Sequence, residues 1–162
     1  MINKNNYKII LLTIGFLLVG FVLAFYFENY YRQLVIFFFK FFNGEFIQFI
    51  GKNFHLFASF GFTISFGVFC ALTFLFLKFS SRNKRWKRTL LTILIFFGTT
   101  ALITAFDSTN FALGCSDCDD RIRKLPYNKI TYDKYFIISL TVSILYLFIM
   151  FLLDRKKQKK FH

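Results

Sequence analysis

Aspartate, glutamate, lysine and arginine are missing from four long stretches of this chain, residues 9–27, 53–77, 89–106 and 135–153. A helix rises about 1.5 Å per residue, so even the shortest stretch reaches about 27 Å, close to the ~30 Å hydrocarbon thickness of a bilayer. Inside lipid the backbone must satisfy its own hydrogen bonds, which leaves helices as the form for such runs. The missing charge also excludes functions. Proton relays, ion-coupled transport and voltage sensing rest on ionisable groups within the membrane, which disfavours a secondary transporter; the lone boundary histidine, His55, reads as an interfacial residue, with proton handling the alternative. No charged ring marks an ion filter. A hydrolase elbow, a P-loop, an H-E-x-x-H motif and a paired-carboxylate arrangement are absent as well.

The chain also lacks room for a soluble body. The longest stretches outside the runs, 28–52 and 107–134, fall below the usual size of an independent core, so residues 1–162 read as one polytopic membrane domain. One proline and one tryptophan stand beside 28 phenylalanines. Phe, Ile, Lys and Asn share AT-rich codons, and the phenylalanines are spread over every run, so they read as lipid-facing and packing bulk. Lys4 and Lys8 precede the first run as a signal peptide's basic region would. That run is longer than a typical signal core, however, and it ends in Phe25, Tyr26 and Phe27, where cleavage needs small residues. It reads as an uncleaved signal anchor.

What is abundant is positive charge, net +13, and it is unevenly placed. Lys4 and Lys8 come before the first run. Lys78, Arg82, Lys84, Arg85, Lys87 and Arg88 fill the turn 78–88, and Arg155, Lys156, Lys157, Lys159 and Lys160 fill the tail 154–162. Asp154 is the one acid among these segments, whereas bases and acids nearly balance in the two longer connectors. The positive-inside rule then sets both termini and the 78–88 turn in the cytoplasm. The expected fold is all-α: four transmembrane helices, N-in and C-in. Trp86 fits an interfacial anchor, and the basic segments suit anionic lipid or an acidic protein partner. They carry no recognisable motif for reading nucleic acid.

The connector 28–52 is more than a loop. Gln33, Lys40, Gly44, Gln48 and Lys52 fall mostly a helical turn apart, while Leu34, Phe37, Phe38, Phe41, Phe42, Phe46, Phe49 and Ile50 crowd the other side. That pattern predicts an amphipathic helical segment at the interface, broken at Asn43 and Gly44 into two short helices. It reads as packing over the ends of the spans or as a flap. The connector 107–134 holds Cys115 and Cys118 at C-x-x-C spacing, with Asp117, Asp119 and Asp120 between and after them and Arg121, Arg123 and Lys124 following. A small disulfide constraining the loop is the leading reading. Zinc needs about four ligands, so the pair would have to recruit Asp117, Asp119, Asp120 or His55. The acids lack the spacing of an EF-hand loop. Neither a metal nor a cofactor is assigned. Membrane thiol oxidoreductases of the vitamin K epoxide reductase type also use C-x-x-C on four or more spans. The loop shuttle pair of that family is missing here, since the third cysteine is Cys70 in mid-span, so the family is not assigned.

Within the spans, Gly20 and Ala24, Gly61 and Ser65, Gly67 and Ala71, and Ala101 and Ala105 are small residues four apart, which let helices approach closely. Thr63, Ser65, Thr73, Thr99, Thr100, Thr104, Ser139, Thr141 and Ser143 offer hydroxyls to neighbouring helices or to their own backbone. Span two has small residues on more than one face, which suits a homo-oligomer. The favoured function is therefore non-enzymatic: an accessory, sensor or protective membrane subunit acting through partners. In layout the chain resembles immunity proteins against pore-forming colicins and small membrane subunits of anti-phage defence systems. An oligomeric channel is the alternative, and thiol–disulfide exchange at Cys115 and Cys118 the third reading. The expected address is a bacterial inner membrane. Lys159 and Lys160, third and fourth from the end, also match a dilysine retrieval pattern, which makes the endoplasmic reticulum the alternative.

Overall fold

In the computed structural model the described residues are 4–51, 59–78, 82–114 and 122–159. Four helices dominate them: α1 (Lys4–Asn43), α2 (Phe60–Lys78), α3 (Arg82–Leu113) and α4 (Tyr132–Lys159). Each contains a segment long and apolar enough to cross a membrane: Tyr7–Asn43, Phe60–Lys78, Arg85–Leu113 and Tyr132–Asp154. The four expected spans are all present as helices. The described part of the second begins at Phe60, and residues 52–58 lie outside the described set.

The helices run up and down. Phe16 stacks on Phe74 at 4.5 Å and Glu28 meets Ser59, so α1 and α2 are antiparallel. Arg88 meets Asp154 and Thr100 meets Ser139, so α3 and α4 are antiparallel too. One end of the bundle therefore gathers the start of α1, the end of α2, the start of α3 and the end of α4. We call it the basic end, and the opposite one the connector end.

Small residues fix the α1–α2 crossing. A Cβ added at Gly20 would lie 2.8 Å from the Gly67 Cα and 3.1 Å from the Cys70 Cβ. Glycine is required there because two backbones pass at near contact. Ala24 and Ala71 are buried beside them. The Gly61–Ser65 pair differs from its expectation: Gly61 is exposed, and open space surrounds its Cβ position.

On α3 the buried residues Arg88, Thr92, Phe96, Thr100, Thr104 and Ser108 recur every fourth position. Such a row forms a ridge inclined to the helix axis, the surface that neighbouring helices pack against. Its hydroxyls mostly satisfy themselves. Thr92, Thr100 and Thr104 donate to carbonyls one turn back at 2.7–2.9 Å, and Thr99, Thr141 and Ser143 do the same. The Thr100–Ser139 bond, 2.9 Å, crosses between helices.

The bundle axis is filled by rings. Tyr31 from α1, Phe62 from α2, Phe96 from α3 and Phe136 from α4 meet there, all buried. Phe62 stacks on Phe136 at 3.7 Å, with Tyr31 and Phe96 edge-on to Phe136 at 5.0 and 5.8 Å. Offset and edge-to-face pairs contribute about 0.5–1.5 kcal/mol beyond their area.

Two features depart from the sequence reading. First, α1 passes through Glu28 without a break and ends at Asn43, so the expected interfacial segment is a continuation of the first helix. The face it packs inward is Tyr31, Arg32, Val35, Ile36 and Phe39, while Phe37, Phe41 and Phe42 point away from the protein. Second, residues after the Asn43–Gly44 break form a strand, β1 (Ile47–Ile50), not a second helix. It pairs in parallel with β2 (Arg123–Pro126), Ile47 opposite Arg123 and Ile50 opposite Pro126. A short β-branched run suits either state locally; burial of Ile47 and Leu125 against Ile130, Phe39 and Tyr135 decides for the strand. This sheet, with a 3-10 turn at Tyr127–Lys129, caps the connector end.

Candidate functional site

Two buried ion pairs, one at each end, carry most of the polar chemistry among the described residues. At the connector end Glu28 is 2% and Arg32 8% exposed. They stand one turn apart on α1, where residues i and i+4 share a face. The Arg32 Nε and Nη2 groups both donate to Glu28 Oε1, at 3.0 and 2.6 Å. The second carboxylate oxygen accepts the Ser59 backbone N–H at 2.7 Å. Ser59 caps α2, its hydroxyl accepting the Phe62 N–H at 3.2 Å, as serine does before a helix. The same hydroxyl donates to Asp133 Oδ1 at 3.0 Å, and Asp133 sits in the first turn of α4. The Arg32 guanidinium lies 4.5 Å above the Tyr132 ring.

This cluster is close to neutral. Two carboxylates face one guanidinium and two helix N-termini, each worth about half a positive charge. That balance explains how charges tolerate burial that would cost several kcal/mol per unpaired ion. By sequence Glu28 and Arg32 fall in the connector 28–52, outside the charge-free runs. The available signal was their i,i+4 spacing within an otherwise apolar helical run.

Beside the cluster lies a cavity of about 370 Å³ lined by Phe39, Asp107, Asn110, Arg123, Lys129 and Tyr135, among others. Arg123 is committed to closing α3: its guanidinium donates to the Phe111 and Gly114 carbonyls and covers the Phe111 ring at 4.9 Å. A cation on the last carbonyls of a helix satisfies orphan acceptors and the dipole together. Asn43, at the end of α1, reaches the Ser108 and Thr109 hydroxyls of α3 at 2.8 and 3.3 Å.

At the basic end, Arg88 and Asp154 form a two-pronged pair at 2.7 and 2.9 Å that ties α3 to α4. Arg88 is 6% exposed. This corrects its expected place in the basic surface: it packs inward as the first residue of the α3 ridge. Arg85, Trp86 and Lys87 are exposed, Trp86 at 75%, and Arg85 Nη2 donates to the Lys78 carbonyl at 3.1 Å. Arg82 and Lys84 lie in the first turn of α3, and Arg155, Lys156, Lys157 and Lys159 in the last turns of α4. Lys160, His55, Cys115, Asp117, Cys118, Asp119 and Asp120 lie outside the described residues, so the disulfide and metal expectations fall there too. Cys70 is a free cysteine in α2.

Compared with family models, with curated proteins and with solved structures, the chain matches none.

Proposed function

We propose that this chain is a non-catalytic four-span membrane protein, N-in and C-in, that works by contact with a protein partner at its basic end. One observation carries the reading. The bundle axis is packed with four aromatic rings, and Glu28 with Arg32 and Arg88 with Asp154 are ion-paired, while Arg85, Trp86 and Lys87 are exposed at the basic end. Arg82 and Lys84 lie in the first turn of α3, and Arg155, Lys156, Lys157 and Lys159 in the last turns of α4, at the same end of the bundle. A tryptophan amid cations suits a docking surface for an acidic segment or a membrane-interface anchor. The outward rings of Phe37, Phe41 and Phe42 suit contact of the α1 extension with lipid or its interface at the connector end. The layout shared with immunity and defence subunits makes a protective role the specific form of this reading, in a bacterial inner membrane. A channel would need its pore between chains, since the axis of one chain is filled.

Two measurements test it. A thiol reagent applied from outside should label Gln48→Cys and spare Lys87→Cys; the reverse pattern overturns the orientation. A photoreactive residue at Trp86 should give one discrete protein adduct in cells, abolished by Arg85→Glu with Lys87→Glu. Adducts to lipid alone, or unitary conductance from the purified chain, overturn the partner-binding role.

A further inference from the structure

The basic end also carries a groove between α1 and α2 that the partner-binding role leaves unexplained. It encloses about 560 Å³, within the ~300–1,000 Å³ common for small-ligand pockets. Its walls are Leu12 and Phe16 from α1 and Phe69, Phe74 and Leu77 from α2. Lys78 and Arg85 line its mouth. The Lys78 ammonium stands 5.8 Å from the Phe74 ring centroid, and the Arg85 guanidinium is anchored on the Lys78 carbonyl. Two cations are thus drawn together at the end of α2, where the helix dipole is negative and favours them.

The dimensions match one kind of occupant. From Phe69 to Lys78 the groove follows α2 for about 14 Å, close to half of the ~30 Å hydrocarbon layer. That length matches one leaflet, and the lining passes from apolar side chains to two cations at the end of α2. We propose that this groove seats one acyl chain of an anionic phospholipid, with the lipid phosphate held at Lys78 and Arg85. The inference rests on the helices spanning a bilayer, but not on which side the basic end faces.

The test uses the purified full chain, with phosphatidylglycerol or phosphatidylcholine added in detergent and read by native mass spectrometry. The wild-type chain should retain phosphatidylglycerol over phosphatidylcholine by roughly twenty-five-fold, about fivefold for each cation. The double variant Lys78→Gln, Arg85→Gln should lose that preference, and Lys87→Gln, outside the groove, should keep it. A phosphatidylglycerol with a photoreactive acyl chain should mark Leu12, Phe16 or the Phe69 to Leu77 face of α2. Equal retention of both lipids overturns the site, as does a Lys87→Gln loss equal to that of the pair. So do photoadducts centred on Ile14 and Leu18, exposed on the side of α1 away from Leu12 and Phe16. The wild-type photoadduct decides alone should the double variant fail to fold. Failure here leaves the Trp86 adduct and the thiol labelling untouched, so the two readings fall separately.

Discussion

The two ends of the bundle handle charge in opposite ways. At the connector end, Glu28, Arg32, Ser59 and Asp133 form one bonded group joining α1, α2 and α4, and a two-stranded sheet closes over the neighbouring elements. At the basic end the Arg88–Asp154 pair ties α3 to α4, and Arg85 and Lys87 nearby are exposed. The connector end commits its buried carboxylates and guanidinium to the fold, whereas Trp86 and Lys87 at the basic end face outward. Buried pairs do not guarantee stability by themselves, because desolvation offsets much of the attraction. Removal of one partner is costly in every case, and that asymmetry makes the two ends experimentally separable.

The largest effect should come from Glu28→Ala, which strands Arg32 in the interior and uncaps the Ser59 N–H. A loss of about 3–5 kcal/mol is expected, read as a collapsed melting transition in detergent, with Glu28→Gln milder. Arg88→Ala should cost less, about 2–3 kcal/mol, because Asp154 keeps access to solvent at 19% side-chain exposure. A double-mutant cycle with Asp154→Ala should recover most of that loss; additive losses would show that the pair does not couple the helices. Gly20→Val should cost about 1–3 kcal/mol by forcing apart the backbones at Gly67, whereas Gly61→Val, where the space is open, should change little. Smallest is Thr100→Val, which deletes the hydroxyl bond to Ser139: about 0.6 kcal/mol is typical within membranes.

Much of the bundle was readable from composition and spacing. Charge-free runs marked the four helices, and Gly20 and Gly67 marked surfaces of close approach, since that demands small side chains, though not which helices meet there. The connector end was less legible. Glu28 and Arg32 resembled an exit from lipid, since neither residue type tolerates burial alone; their mutual neutralisation depends on α2 and α4 supplying N-termini, which is tertiary information. Residues 47–50 fitted a helix as well as a strand, and the choice rested on a partner strand far along the chain. Arg88 was indistinguishable from its neighbours by type. Its every-fourth-residue relation to Thr92, Phe96 and Thr100 was visible, but mattered only once α4 brought Asp154 alongside.

The parallel pairing of β1 with β2 has a consequence for biogenesis. Two parallel strands cannot join through a tight hairpin, and here α2 and α3 both lie between them in the chain. Because β2 follows both helices in the chain, β1 can pair with it only once α2 and α3 have been made. Closure of that seam therefore requires three helices, and a chain ending before Arg123 would leave the β1 edge without this partner.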